Sequence, residues 1–216
     1  AGELVLKLDQ LAPANGIDHA NAHDALADVR ATIELARLIK KAQPRLYGYV
    51  FQLKHKAQVW EQLDLQMQKP VLHVSSMYGR DNGYLSLVGA FAKHPSNNNG
   101  VLVFDLRQDP SLWQGYSSAQ LQELLFSRKG GLPLGTVRPA VKEIHVNKCP
   151  VVAPVQTLAD AQAQKYSIDK TQCQVHLQYL QQDKALCQAL VEAFAKRPDF
   201  AAVDPDAGLY GGGFFS

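Results

Sequence analysis

The sequence predicts an α+β chain, and its length of 216 residues allows one large domain or two small ones. Residues 22–42 carry the periodic pattern of a long amphipathic helix. Segments with strand character, bounded by turn signals, follow at 71–79, 84–92, 101–106 and 141–152. Helical periodicity returns at 169–182 and 184–196. From about residue 45 to the 190s we therefore expect a β-rich domain with helical insertions, most simply a small barrel.

The first segment reads as a strand. Residues 3–11 alternate, with Leu4, Leu6 and Leu8 on one face. Asn15-Gly16 then predicts a turn.

A helix is expected to begin near Asn21 or Ala22 and to end at Gln43-Pro44, because the residue before a proline disfavours helix. Asn21 is a candidate N-cap, and Asp24 in the first turn suits the helix dipole. The apolar stripe that should face a core consists of Leu26, Val29, Ile33 and Ala36, widened by Leu35 and Ile39.

Composition limits the class of protein. The chain has 216 residues and is 46% hydrophobic, and no segment approaches the roughly 18 apolar residues of a membrane span. No signal peptide is visible, and Cys149, Cys173 and Cys187 form neither a disulfide framework nor a zinc motif. We therefore expect a cytoplasmic protein. Because the chain lacks an initiator Met and begins within a strand pattern, we expect it to be a segment of something longer.

The stretch from Arg37 to Trp60 contains six Lys or Arg residues and no Asp or Glu. Aromatic residues, including Tyr49, are interleaved with these cations. Cations for phosphates and rings for bases are typical of a single-stranded nucleic-acid path. A solvated helix end followed by core aromatics would give the same composition, so both interpretations stay open at this point.

The run from Asn21 to Asp28 places His23 and Asp28 five residues apart where a loop turns into a helix. A carboxylate that holds a divalent ion and a nearby base that takes a proton from water suit phosphodiester hydrolysis. His19 and Asp24 have the same spacing, but His19 lies on the loop side of the run. One His and one Asp are only part of such a site.

The pattern N-A-H-D-A-x-A-D resembles the third exonuclease motif of the DEDDh 3′–5′ exonucleases, a His followed by four residues and an Asp. Further matches narrow the resemblance to the bacterial exonuclease I family, which degrades single-stranded DNA from the 3′ end. They are Asn15-Gly16-Ile17, Gln43-Pro44-Arg45-Leu46, Lys69-Pro70, His94-Pro95, the run from His145 to Pro150, and the tail from Leu209 to Ser216. The resemblance covers nearly the whole chain.

The resemblance implies a definite domain order. Residues 1–44 would be the C-terminal strand and helix of an RNase H-like exonuclease domain. Residues 45–196 would form an SH3-like barrel domain with helices, and residues 197–216 would lead toward a C-terminal helical domain. The family's first motif is Asp-x-Glu, which occurs nowhere in this chain, so the isolated segment is expected to be inactive.

The resemblance also implies roles for individual residues. Asp28 would be a ligand of one of two Mg²⁺ ions, and His23 the general base for the attacking water. Lys7, on the predicted strand, would contact substrate where the family usually has Arg. The residues expected to contact single-stranded DNA are Tyr49 and Lys56, with Asn99, Lys142 and Asn147 as weaker candidates.

The expected partners are single-stranded DNA and the acidic C-terminal tail of single-stranded DNA-binding protein, for which Lys69 would belong to a basic patch. Pro154 and Ala159 depart from the family pattern at that patch. The implied activity is 3′–5′ hydrolysis of single-stranded DNA to 5′-mononucleotides by a monomer that serves DNA repair and recombination. The alternative is a module that binds single-stranded DNA or a protein and does no chemistry.

Overall fold

The computed structural model describes residues 5–18, 24–67, 69–127 and 131–195. Its helices are α1 (Leu8–Ala14), α2 (Ala25–Ala42), α3 (Pro44–Gln52), α4 (Lys56–Gln62), α5 (Ser118–Phe126), α6 (Asp160–Lys165), α7 (Lys170–Gln182) and α8 (Lys184–Ala195). Its strands are β1 (Val71–Val74), β2 (Leu85–Lys93), β3 (Gly100–Asp105), β4 (Val141–His145) and β5 (Val151–Pro154). Within these ranges, no helix combines the length and the apolar character needed to cross a membrane.

The strands form one antiparallel sheet in the order β4-β3-β2-β1-β5. Val71 of β1 lies opposite Val88 on one side and Pro154 on the other. The sheet curls, and the edge strands β4 and β5 line one shared cavity. A register shift between Ala90 and Ala92 interrupts the β2–β3 ladder, and such bulges increase the bending of a sheet.

Each face of the sheet is covered by a hydrophobic core, because side chains alternate along a strand. On one face, Leu87 and Phe104 belong to a cluster that includes residues of α5, α7 and α8. On the other face, Val88 and Val103 pack with Val59 of α4. The sheet is therefore a buried layer, with α4 on its inner side and the C-terminal helices outside.

The predicted strand at 3–11 is wrong over its described part, because Leu8–Ala14 is a helix and Lys7 is its N-cap residue. An isolated strand would leave its backbone groups without partners, whereas a helix satisfies most of them internally. In the described residues no strand pairs with this segment, and α1 packs against α2 instead.

Helix α2 begins at Ala25, and the Asp24 carboxylate accepts a hydrogen bond of 3.0 Å from the amide of Ala27. Asp24 is thus the N-cap, and the predicted cap Asn21 lies outside the described residues. The predicted core stripe is wrong for this chain, since Leu26 and Val29 are 56% and 55% exposed. Only α1 and α3 make extensive contacts with α2 in the described structure, so most of its apolar face remains uncovered.

Gln43-Pro44 ends α2 as predicted, but Pro44 then opens α3 at a position where its missing amide proton costs no hydrogen bond. Residues 45–62, expected to start the β-rich domain, are therefore largely helical. The predictions for β2, β3, α7 and α8 are confirmed within one or two residues. The domain boundaries after residues 44 and 196 remain predictions, and the tail 197–216 lies outside the described residues.

Candidate nucleic-acid interface

Two residues that were predicted separately to contact DNA are in contact with each other. The Lys56 ammonium, at the start of α4, donates a hydrogen bond of 2.8 Å to the side-chain oxygen of Asn99. Asn99 lies in the turn between β2 and β3, 43 residues along the chain. The bond uses one of three ammonium protons and leaves the Asn99 amide protons to other acceptors.

A third predicted residue lies beside this pair. The amide of Val146 donates a hydrogen bond of 2.8 Å to the backbone oxygen of Asn99, and Asn147 follows with an exposed side chain. An ammonium group and side-chain amides are donors that suit phosphate oxygens. We refer to Lys56, Asn99 and Asn147 as the amine–amide cluster.

Lys142 lies apart from the cluster. Its ammonium donates to the Ser75 hydroxyl and lies 4.9 Å from the centre of the Tyr78 ring. Burial lowers the pKa of this half-buried amine. It lines a cavity of about 320 Å³ between the edge strands, together with Lys148 and His145. A cation with little water around it favours an anionic neighbour.

The polar residues beneath Lys142 were not singled out from the sequence. The His73 ring nitrogen Nδ1 lies 2.7 Å from the Tyr78 hydroxyl, and the His73 residue is 4% exposed. Burial, reinforced by the Lys142 charge, lowers the pKa of His73 to about 3, and the Asp105 charge acts in the opposite direction. Burial also raises the pKa of Tyr78. Alternation along β1 places His73 on the inner face, but its neighbours follow from strand pairing that the sequence does not show.

Asp105 anchors this buried group. Its carboxylate accepts a hydrogen bond of 2.5 Å from the Ser86 hydroxyl and is paired with Arg107, whose Nη2 lies 2.5 Å from Oδ2. The Arg107 guanidinium carbon lies 5.5 Å from the centre of the Tyr78 ring. These contacts satisfy a buried charge, so we assign Asp105 and Arg107 to structural support.

Tyr49 lies on α3 and faces the barrel. Its hydroxyl donates a hydrogen bond of 2.9 Å to the carbonyl of Val152 in edge strand β5, and burial raises the pKa of the phenol. The ring packs against both hydrophobic cores and is half-buried. Tyr49 therefore has a structural contact, and its stacking on a DNA base remains a prediction.

Two other rings of α3, Tyr47 and Phe51, stack with centroids 6.1 Å apart. Lys40 lies 6.0 Å from the first ring, and Lys54 lies 3.7 Å from the second. Both rings and Lys54 border an apolar groove of about 630 Å³ that reaches Cys149. The basic and aromatic composition of this stretch was visible in the sequence, and the four-residue spacing of the two rings was the signal for a stacked pair.

The two remaining lysines do not join the cluster. Lys7 is exposed at the start of α1, on the element that was predicted as a strand. Lys69 lines a groove of about 480 Å³ together with Glu61 and Asp64. Two carboxylates in the same groove weaken the attraction for an acidic peptide. The roles of both lysines stay predictions.

Asp28 lies in the first turn of α2 and is half-buried. The backbone amide of Asp28 donates to the Asp24 carbonyl at 2.9 Å, and the backbone carbonyl of Asp28 accepts a hydrogen bond of 2.8 Å from the Thr32 hydroxyl. Its predicted partner His23 lies outside the described residues. In the described ranges no three His, Cys, Asp or Glu side chains gather as metal ligands, and the role of Asp28 as a metal ligand stays a prediction.

Comparison with known proteins gives one consistent result. A family model of the exonuclease I SH3-like domain matches residues 54–196. Exodeoxyribonuclease I of Escherichia coli (strain K12) is 40% identical over 97% of this chain and 44% of that protein. The match covers α2 as well as the barrel, so it extends beyond the SH3-like domain.

Solved structures agree with this. The crystal structure of E. coli exonuclease I in complex with a dA16 oligonucleotide matches with a TM-score of 0.88 and 39% identity, over 100% of this chain and 46% of that one. The zinc-bound form of the E. coli ExoI–ssDNA complex matches with a TM-score of 0.86 and 40% identity, over 97% and 44% of the two chains. The predicted fold class is thereby confirmed, apart from the strand predicted at 3–11. The chain spans less than half the length of the proteins it matches.

Proposed function

The chain belongs to the exonuclease I family, and we propose that it is the part of a 3′–5′ single-stranded DNA exonuclease that carries the SH3-like barrel and one metal-binding carboxylate. The whole enzyme would release 5′-mononucleotides by hydrolysis of phosphodiester bonds. The observation that carries the DNA-binding half of this proposal is the contact between Lys56 and Asn99. This contact holds two donors from distant segments together, and the Lys56 side chain is exposed.

The barrel would hold the DNA strand by its phosphates. Lys56 supplies a full positive charge, and Asn99 and Asn147 supply neutral donors that fix the position of a phosphate without adding charge. Lys142, in the cavity between the edge strands, offers a second cation. The backbone of DNA is the same for every base, so these contacts give affinity without sequence preference.

Asp28 and His23 would contribute to the chemical step. A half-buried carboxylate at a helix N-terminus is stabilised in its charged form by the helix dipole. Carboxylate oxygen is the ligand that Mg²⁺ prefers, and two such ions would stabilise the attacking and leaving oxygens when all ligands are present. His23 would take the proton from the attacking water. A relative binds zinc, and the choice of Mg²⁺ is our proposal.

A second candidate function is a binding module without catalysis. The observation that favours it is the position of the amine–amide cluster. All three of its residues lie within residues 54–196, the range that the SH3-like domain model matches. The barrel could therefore bind DNA without α2. The tail of single-stranded DNA-binding protein remains a proposed partner through Lys69.

Equilibrium binding to fluorescent oligonucleotides tests the proposal. We expect the chain to bind a single-stranded oligonucleotide more tightly than a duplex of the same length, with an affinity that falls as salt is raised. Equal binding of both forms, or tight binding of single strands that is insensitive to salt, would contradict the proposed DNA path. The second outcome would direct attention to a protein partner.

A further inference from the structure

The side chain of Asn97 braces the turn that carries Asn99. Its oxygen accepts a hydrogen bond of 3.0 Å from the backbone amide of Asn99. Its amide nitrogen donates 2.6 Å to Glu143 and lies 3.3 Å from Nδ1 of His145, both on β4. One side chain thus joins the β2–β3 turn to the neighbouring edge strand.

Asn99 is held from the other side as well. Its carbonyl accepts the amide of Val146 at 2.8 Å, so both backbone groups of this residue are engaged. Its side-chain oxygen then accepts the Lys56 ammonium at 2.8 Å. The position of the Lys56 amine is therefore linked, through Asn99 and Asn97, to the carboxylate of Glu143.

Glu143 is itself held in place. Its side chain is 18% exposed, and its Oε2 lies 3.5 Å from Nε2 of His145 and 3.9 Å from Nε2 of His94. A methyl group on Gly100 would collide with Glu143 Oε1 and lie 2.7 Å from Cβ of His94. The absence of a side chain at Gly100 is what lets the carboxylate approach the turn.

We infer that Asn97 and Glu143 are positioning residues that hold the Lys56–Asn99 pair in the geometry that binds a phosphate of single-stranded DNA. The inference rests on the proposed DNA-binding function and adds two residues that need not touch the DNA. A long lysine side chain and a surface turn lose conformational freedom on binding, and a fixed pair has less to lose. The hydrogen bonds of Asn97 to Asn99 and Glu143 therefore increase the contribution of Lys56 to DNA affinity.

The alternative is that Asn97 only closes a turn, as asparagine commonly does. The two roles predict different effects on DNA affinity. A positioning role predicts that loss of the brace removes the benefit of Lys56, so that the effects of the two substitutions overlap. A turn-closing role predicts an effect on stability that is independent of Lys56.

The test is a double-mutant cycle on binding of the 216-residue chain to a fluorescent oligo-dT. We expect Asn97→Ala and Lys56→Ala each to weaken binding about tenfold, which corresponds to one charge-assisted hydrogen bond. The double variant should be no more than about twofold weaker than Lys56→Ala alone. Asn82→Ala is the matched control, because Asn82 closes the β1–β2 turn through a 2.7 Å bond to the Tyr78 carbonyl.

Glu143 provides a second measurement if Asn97→Ala fails to fold. Glu143→Gln keeps the oxygen that accepts from Asn97 and should bind DNA within about twofold of the parent, whereas Glu143→Leu should lose about as much as Lys56→Ala. Nearly unchanged DNA affinity in Asn97→Ala or Glu143→Leu would overturn the inference. So would a double variant whose loss of affinity equals the product of the two single losses. Either result would leave the proposed DNA interface standing. If Lys56→Ala itself binds like the parent, the proposed interface fails, and the inference with it.

Discussion

The hydroxyl of Tyr49 donates a hydrogen bond of 2.9 Å to the carbonyl of Val152, and this bond ties helix α3 to the outer edge of strand β5. An edge strand has unpaired backbone groups on one side. Here a side chain satisfies one of them. The residue expected to stack on a base thus also stabilises the barrel.

The two roles of Tyr49 can be separated. Tyr49→Phe keeps the ring and loses the bond to Val152, so we expect the free energy of unfolding to fall by about 1 kcal/mol while DNA affinity is unchanged. Urea unfolding and anisotropy titration measure the two quantities. The control is Tyr116→Phe, since Tyr116 is 40% exposed. A tenfold loss of DNA affinity in Tyr49→Phe would show that the hydroxyl itself binds the DNA.

Stability should depend on pH through His73. Its pKa is lowered to about 3 by burial, whereas an exposed imidazole titrates near pH 6.5. Above about pH 6.5 the ring is neutral in both states, and its full contribution to stability is present. As the pH falls from there toward 3, the unfolded chain binds a proton that the folded chain excludes, so stability is lost by about 1.4 kcal/mol per pH unit.

Other groups titrate in the same range, so a comparison isolates His73. His73→Asn keeps a polar atom toward Tyr78 and should flatten the pH dependence of unfolding between pH 6 and 4. His55→Asn is the control, because His55 is exposed at the start of α4. If the free energy of unfolding changes equally with pH in the parent and in His73→Asn, burial does not lower the pKa of His73.

Two glycines should respond oppositely to alanine. A methyl group at Gly100 would lie 2.7 Å from Cβ of His94, which moves only with its backbone, so Gly100→Ala should destabilise the fold by about 1–3 kcal/mol. Gly48 lies within α3 with no atom within 4 Å of an added methyl, so Gly48→Ala should stabilise by about 0.5–1 kcal/mol. Thermal unfolding compares the pair. Equal effects of both changes would mean that the close approach at Gly100 carries no strain.

Asp28 is a proposed metal ligand, but no three His, Cys, Asp or Glu side chains gather as metal ligands in the described residues, and the chain lacks an Asp-x-Glu motif. We therefore expect this chain to release no nucleotides from a 3′-labelled oligonucleotide in the presence of Mg²⁺. Asp28→Ala should change neither this result nor DNA binding by more than about twofold. Cleavage by the parent that disappears in Asp28→Ala would contradict the incompleteness of the site.

The strands β2 and β3 were predictable because their apolar runs are bounded by strong turn signals. The helix at Leu8–Ala14 was missed because Leu4, Leu6 and Leu8 alternate as they would in a strand, and whether a partner strand is present cannot be seen from a local pattern. The exposed face of α2 illustrates the same limit. An amphipathic stripe predicts that something covers it, but the sequence does not say what lies there.

The candidate site was predictable in part. The resemblance supplied Lys56, Asn99 and Asn147 as separate positions, but their meeting depends on how α4 packs beneath the sheet. Asn97 and Glu143 carry no motif, and their contacts depend on the pairing of β3 with β4. Sequence patterns indicate which residues can bind, and tertiary structure determines which of them act together.

The central claim is that the amine–amide cluster binds the phosphates of single-stranded DNA, and the salt dependence of binding to oligo-dT tests it most directly. Lys56→Ala should weaken binding at low salt and reduce the slope of log affinity against log salt by about 0.7, the value for one phosphate contact. The control is Lys184→Ala, which removes an exposed lysine on α8 and should leave the slope unchanged. A slope in Lys56→Ala equal to that of the parent would contradict the account.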